Sequence, residues 1–160
     1  MDLSEGYFFS NQALVTTSGS PLADATTIEE VAGFQLGAAG NTTSLTYITD
    51  KIQPDLDPRV YDDNTGAKAA LEANQIDAAV FDLPTALFVT TEIDGSSVVG
   101  QFPASAGGTT DQFGFVLDKG SALTGCVDAA ITTLTDSGEL DAIQQEWLSD
   151  TTGAPVIAVD

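Results

Sequence analysis

Hydrophobic residues in this chain form short runs that alternate with segments of helical periodicity. Runs of β-branched, aromatic or small apolar residues, bounded by Gly, Pro, Asn or Asp, predict buried strands. Between these runs, apolar residues three or four positions apart predict helices, with hydroxyl or carboxylate residues at their starts. The predicted strands are 12–17, 34–38, 59–62, 78–81 and 97–102, and the predicted helices are 27–33, 42–52, 66–74 and 84–91.

This alternation of strand and helix predicts the fold class. Strands that are separated by helices pair most readily in parallel, with the helices covering both faces of the sheet. The sequence therefore predicts an α/β fold with a mostly parallel sheet flanked by helices. In such sheets, ligands bind beyond the carboxyl ends of the strands.

The pattern changes after Pro103. Small and Gly-rich residues over 104–110 predict a crossover, and alternating apolar residues over 112–117 predict another strand. Two C-terminal helices follow, one capped by Ser121 and one over 139–149, before a tail at 151–160. Because the α/β domain already has its helices, we expect the apolar faces of the last two to be exposed unless another chain covers them, for example in a homo-oligomer.

Candidate binding residues follow two of the predicted strands. The strand at 34–38 leads through a turn to the helix start at Thr42 and Thr43, and the strand at 78–81 ends at Asp82. A helix start binds anions through its free N–H groups, and a carboxylate binds cations. We predict that these residues bind a zwitterion, with its carboxylate at the threonines and its ammonium at Asp82. As an alternative, Thr42 and Asp82 are plain helix caps.

The charge of the chain excludes several kinds of partner. Four basic residues and 24 acidic residues give 160 residues a net charge of −20. Nucleic acids and anionic lipids bind clustered Lys and Arg, so we expect neither as a partner. The acidic residues indicate a solvated, self-repelling surface suited to high salt. Met1 is followed by Asp2 and Glu5 rather than a basic, apolar leader, which indicates a cytoplasmic chain or part of an exported one.

The residue types also limit the chemistry. The chain has no histidine and one cysteine, Cys126. This excludes zinc sites, Ser-His-Asp and Cys-His nucleophile systems and an intrachain disulfide. We expect Cys126 to be a small buried hydrophobe. No carboxylate pair has the context of acid–base catalysis, so we predict no catalytic residues, no metal and no cofactor.

An ordered series of motifs runs from residue 2 to residue 148. The motifs are DLSEGYF at 2–8, TIEEVAG at 27–33, a glycine and TTSL at 37–45, DAAVFD at 77–82, KGSAL at 119–123 and DSGELDAIQQEWL at 136–148. In this order they resemble the motifs of type II periplasmic solute-binding proteins of ABC importers, specifically the polar amino-acid group, family 3. This resemblance implies a two-lobed protein that closes around an amino acid.

Several residue roles are implied by the resemblance. Thr42 and Thr43 would bind the α-carboxylate of the ligand, Asp82 would bind its α-ammonium, and Ala39 would offer backbone groups. Asn41 stands where the family usually has a glycine, and Asn tolerates a left-handed backbone better than most residues.

The resemblance also implies an organisation and a role for the protein. The implied organisation is a hinge with a residual strand of the first lobe (1–17), a second lobe (18–108), a return strand with C-terminal helices of the first lobe (109–150) and the tail (151–160). We expect a truncated amino-acid-binding component of an ABC importer, with the permease as partner and an extracytoplasmic location, periplasmic or as a cell-surface lipoprotein in the full-length form. The alternatives are an enzyme of the same fold, similar to cyclohexadienyl dehydratase, and a ligand-binding sensor domain.

The net charge yields a first prediction, that added salt stabilises the protein. The Debye length falls from about 10 Å at 0.1 M salt to about 3 Å at 1 M, so repulsion among the acidic residues weakens. We expect the thermal midpoint to rise when NaCl is increased from 0.1 M to 1 M. A midpoint that stays constant across this range would show that surface repulsion has no influence on stability.

Overall fold

The computed structural model describes residues 1–103, 108, 110–144, 146 and 154–159. The chain forms two compact units, one of Met1–Ser10 with Gln112–Gly153 and one of Asn11–Asp111 with Ala154–Asp160. The predicted crossover at 104–110 and the end of the helix predicted at 139–149, with Trp147 and Leu148, lie largely outside the described residues.

The described elements alternate as the sequence predicts. The strands are β1 (Asp2–Leu3), β2 (Phe8–Thr17), β3 (Leu36–Ala39), β4 (Arg59–Tyr61), β5 (Ala78–Asp82), β6 (Ser96–Phe102), β7 (Thr110–Phe113) and β8 (Val116–Leu117). The helices are α1 (Ile28–Ala32), α2 (Thr43–Tyr47), α3 (Asn64–Glu72), α4 (Leu83–Glu92), α5 (Thr124–Asp136) and α6 (Glu139–Gln144). A 3-10 turn covers Pro21–Asp24, and α2 continues as a π-helical turn over Ile48–Ile52.

The sheet of the larger unit has the strand order β4-β3-β5-β2-β6, and β7 also pairs with β2. Strand β3 is parallel to β4 and β5, whereas β2 is antiparallel to β5 and β6. Four strands therefore share one direction and β2 opposes them. This confirms the predicted α/β class with a mostly parallel sheet.

A hydrophobic core lies on each face of this sheet. One core contains Leu14 and Val80 of the sheet. Val31 of α1, Tyr47 of α2 and Ile48 of the π-helical turn pack against them. The other core joins the sheet to α3 and α4 through Ala13, Val15, Ala79, Phe81, Leu71 and Val89. Strand β2 is buried on both faces from Gln12 to Thr16, which is why its sequence reads as a nearly continuous apolar run.

The C-terminal segment differs from the predicted tail. Gln101 exchanges backbone hydrogen bonds with Pro155 (2.8 Å) and Ile157 (2.9 Å), so the segment lies along β6. The Ile157 side chain is fully buried in the first core. A Cβ at Gly100 would come within 2.7 Å of Ile157, so the glycine leaves the space that the segment needs. The tail prediction was wrong because a single isoleucine carries no periodic signal.

In the smaller unit, the strand predicted at 112–117 is divided. Strand β7 pairs with β2, whereas β8 pairs with β1. At the break, the Ser4 hydroxyl accepts a hydrogen bond from the Phe115 N–H (2.9 Å), and the Phe115 ring stacks on Tyr7. The two halves separate because they pair with different strands.

Helices α5 and α6 expose the apolar surface that the sequence predicts. Among their described residues only Ile131 is buried, whereas Ile143 and, just before α5, Leu123 are 45% and 62% exposed. Cys126 is exposed, which corrects the expectation of burial. It lies five residues before Ile131, about 140° away around a helix with 3.6 residues per turn. Among the described residues, none of the helices is long and apolar enough to cross a membrane.

The packing of the C-terminal segment yields a second prediction. Replacement of Ile157 by alanine removes a fully buried side chain, and such changes lower the free energy of unfolding by about 2–5 kcal/mol. Val156→Ala is the matched control, because Val156 is 53% exposed. We expect the control to stay within about 0.5 kcal/mol of the parent in urea denaturation. Equal stability of the two variants would contradict the role of Ile157 in the core.

Candidate ligand-binding site

The turn between β3 and α2 is built as the sequence suggests. The Gly40 N–H donates to the Tyr61 carbonyl at 2.7 Å, which joins the turn to β4. Asn41 has a φ of 56°, in the left-handed region that Asn tolerates. Asn41 therefore adopts the left-handed conformation that this turn requires.

Thr42 is the N-cap of α2. Its hydroxyl accepts from the Leu45 N–H (3.2 Å) and donates to the Ala39 carbonyl (2.7 Å). The first bond of the helical type runs from the Thr46 N–H to the Thr42 carbonyl, so the N–H groups of Thr43 and Ser44 precede it and have no helical partner. The Thr42 hydroxyl is therefore committed to the cap, whereas the Thr43 and Ser44 N–H groups have no helical partner.

Asp82 is the N-cap of α4. One carboxylate oxygen accepts from the Thr85 N–H (3.0 Å) and the other from the Thr85 hydroxyl (2.7 Å). The side chain is half-buried. A carboxylate has about four lone-pair sites, so two remain after these bonds. Asp82 is a cap, as one alternative predicts, and it keeps acceptor capacity for a cation.

The sheet brings these two turns to one edge. Strands β3 and β5 are parallel, with Leu36 opposite Ala78, so both end on the same side. Gln12 on β2 lies opposite Asp82, and its side-chain amide donates to the Thr43 hydroxyl at 3.3 Å. Gln12 therefore lies beside Asp82 in the sheet and contacts Thr43 through its side chain.

Two polar residues of this edge were missed by the sequence analysis. The Thr43 hydroxyl donates to a carboxylate oxygen of Asp111 at 2.6 Å, and the Gln12 amide donates to the same oxygen. Gln12 has a sequence signal, since it is a polar residue at the start of an otherwise buried strand. Asp111 has none, because its partner Thr43 lies 68 residues away in the sequence.

A cavity of about 280 Å³ adjoins the first turn of α2. It is lined by Thr43, Thr46, Tyr47, Asp50, Lys51 and Asp111. The Tyr47 hydroxyl is buried without a hydrogen-bond partner among the described residues. Burial raises the pKa of Tyr47 to about 12, because the phenolate would lose its solvation.

Within the described ranges, there is no group of three or more His, Cys, Asp or Glu side chains that could hold a metal ion.

Solved structures resemble this chain over most of its length. An ancestral arginine-binding protein bound to glutamine superposes with a TM-score of 0.71 at 23% identity, covering 92% of this chain and 63% of that protein. The arginine-, lysine- and histidine-binding protein ArtJ from Geobacillus stearothermophilus gives 0.70 at 20%, covering 92% and 62%. The substrate-binding protein of an amino acid ABC transporter gives 0.71 at 19%, covering 92% and 63%.

The chain has the fold of type II periplasmic amino-acid-binding proteins. It spans less than two thirds of the length of these structures. No protein-family model and no curated protein matches the sequence. The periplasmic-binding-protein fold is thus supported by the similarity of the backbones. The sequence identities of 19–23% show the fold and not which ligand this chain binds.

The buried Tyr47 hydroxyl yields a third prediction. In an ultraviolet titration of the folded protein, one tyrosine should ionise with a midpoint of about 12, and Tyr47→Phe should lack this component. A raised folded-state pKa favours the neutral phenol, so this contribution to stability is present below the unfolded pKa near 10 and is lost as pH rises toward 12. Retention of the component in Tyr47→Phe would contradict the assignment.

Proposed function

We propose that this chain binds an amino acid at the edge of the sheet where β3 and β5 end. The observation that carries this proposal is the shared position of the α2 and α4 starts, which Gln12 connects. The α-carboxylate would bind the N–H groups of Thr43 and Ser44, and the α-ammonium would bind the free lone pairs of Asp82. Ala39, Asn41 and Thr42 would line the site with their backbone.

The similar structures support this function over catalysis, since they are named as binding proteins. One of them is the substrate-binding protein of an amino acid ABC transporter. We therefore propose a role in solute import, with a permease as partner, outside the cytoplasm. Leu123, just before α5, and Ile143, in α6, are exposed. This apolar surface supports a contact with another chain, and we propose that a second copy of this chain makes it.

The test of this function is a ligand panel on Asp82→Asn and a matched control. Asn still caps a helix but carries no charge, so α4 should persist while the ammonium loses its counter-charge. Hydrogen bonds to charged groups contribute about 1.5–3 kcal/mol, which corresponds to roughly a 10- to 150-fold weaker affinity for amino acids. The control is Asp63→Asn, because Asp63 caps α3 in the same way, accepting from the Gly66 N–H at 2.8 Å.

Binding is measured by thermal shift with the common amino acids, followed by calorimetry. A ligand at ten times its dissociation constant stabilises the folded state by about 1.4 kcal/mol, a shift of roughly 3–6 °C for a protein of this size. Asp63→Asn should retain this shift and Asp82→Asn should lose most of it. The proposal fails if no amino acid shifts the parent protein, or if both variants respond alike.

A further inference from the structure

Asp111 places a carboxylate of the protein itself at the start of α2. One of its oxygens accepts the Thr43 hydroxyl proton at 2.6 Å, and the same oxygen accepts from the Gln12 side-chain amide. The Thr43 oxygen also accepts from that amide at 3.3 Å. Because a hydroxyl carries one proton, Thr43 has none left for a second carboxylate while Asp111 is bound.

Gln12 holds this contact in place. Its side chain is fully buried on β2, and its amide nitrogen donates to both Asp111 and Thr43. The amide oxygen has no hydrogen-bond partner within the described ranges. The reversed amide would direct its oxygen at the Asp111 carboxylate, which only accepts hydrogen bonds when it is ionised. The carboxylate of Asp111 therefore determines the orientation of this amide.

The Asp111 charge lies beside the position proposed for the ligand α-carboxylate. The N–H groups assigned to that position belong to Thr43, whose hydroxyl binds Asp111, and to the next residue, Ser44. Two carboxylates at neighbouring positions repel each other, and each disfavours the charge of the other. The α-carboxylate and Asp111 therefore compete for the start of α2.

The surroundings do not neutralise Asp111. Asp50, Lys51 and Asp111 are the charged residues that line the cavity beside α2, so one negative charge remains in excess. The ion pair identified among the described residues joins Lys68 to Glu92 and does not involve this cavity. An anion that approaches the start of α2 therefore meets a negative local charge.

We propose that Asp111 is an autoinhibitory residue, an internal carboxylate that occupies the start of α2 in the ligand-free chain and has to leave Thr43 before a ligand carboxylate binds there. This inference rests on the proposed function, which gives the position of the α-carboxylate. When Asp111 leaves, the Thr43 hydroxyl proton becomes available to the ligand. Removal of the Asp111 charge should therefore strengthen binding, whereas removal of a residue that contacts the ligand weakens it.

The first experiment uses acetate, which has a carboxylate and no ammonium group. Acetate is titrated into the parent, Asp111→Ala and Asp50→Ala at constant ionic strength, while the Thr43 and Ser44 amides are followed by NMR. Asp50→Ala is the matched control, because Asp50 lines the same cavity and accepts from the Thr49 hydroxyl (3.0 Å) rather than from Thr43. We expect acetate to bind Asp111→Ala about 10-fold more tightly than the parent, and the control to stay within about threefold of the parent.

The second experiment measures the binding of glycine, which has both α groups and no side chain, by calorimetry. Asp111→Asn is used here because it keeps the shape of the side chain and removes its charge, so it also answers the question if Asp111→Ala does not fold. We expect Asp111→Asn to bind glycine about 10-fold more tightly than the parent does, and Asp50→Asn to stay within about threefold of the parent.

The outcomes separate this inference from the proposed function. Unchanged or weaker binding of acetate and glycine to the Asp111 variants overturns the inference, and glycine binding to the parent then retains the proposed function. An equal gain in the Asp111 and Asp50 variants also overturns the inference, because total charge rather than the contact with Thr43 would account for the gain. Tighter acetate binding to the Asp111 variants, with no amino acid bound by any variant, retains the internal carboxylate and removes the function. Absence of all binding overturns both.

Discussion

Strand β2 is the constraint on which the larger unit depends. It lies between β5 and β6, runs antiparallel to both, and is buried on both faces from Gln12 to Thr16. Its side chains alternate between the two cores, with Leu14 in one and Ala13 and Val15 in the other, so both helical layers pack against it. Gln12 is the first residue of this buried run, and it lies opposite Asp82 at the polar edge of the sheet. The strand that organises the hydrophobic interior therefore also positions the polar groups of the candidate site.

The sequence predicted the features that depend on local chemistry. The strands near 34–38 and 78–81, the caps Thr42 and Asp82 and the left-handed turn at Asn41 follow from residues within a few positions of each other. The contact of Thr43 with Asp111 and the burial of Ile157 were not predictable, because their partners are distant in sequence. Cys126 was misassigned because α5 buries only Ile131, so helical spacing alone did not identify its buried face.

The polar groups of the candidate site have structural duties of their own. The Asp82 carboxylate caps α4 through Thr85, and the Thr42 hydroxyl joins Ala39 to Leu45. These bonds hold the groups in one geometry, and such preorganisation would lower the entropy lost if a ligand binds there as proposed. The double use also explains why the sequence permits both readings of these residues: a well-formed cap and a prepared binding group have the same local signature.

The C-terminal segment along β6 has a consequence for how copies of the protein can meet. An uncovered outer strand offers a row of unpaired backbone groups to any neighbouring chain, and strands of different copies can then pair edge to edge and aggregate. Here Pro155 and Ile157 occupy those groups on Gln101, and the opposite border, β4, is only three residues long and carries the charge of Arg59. Both borders of the sheet thus carry features that disfavour pairing with the strand of another copy.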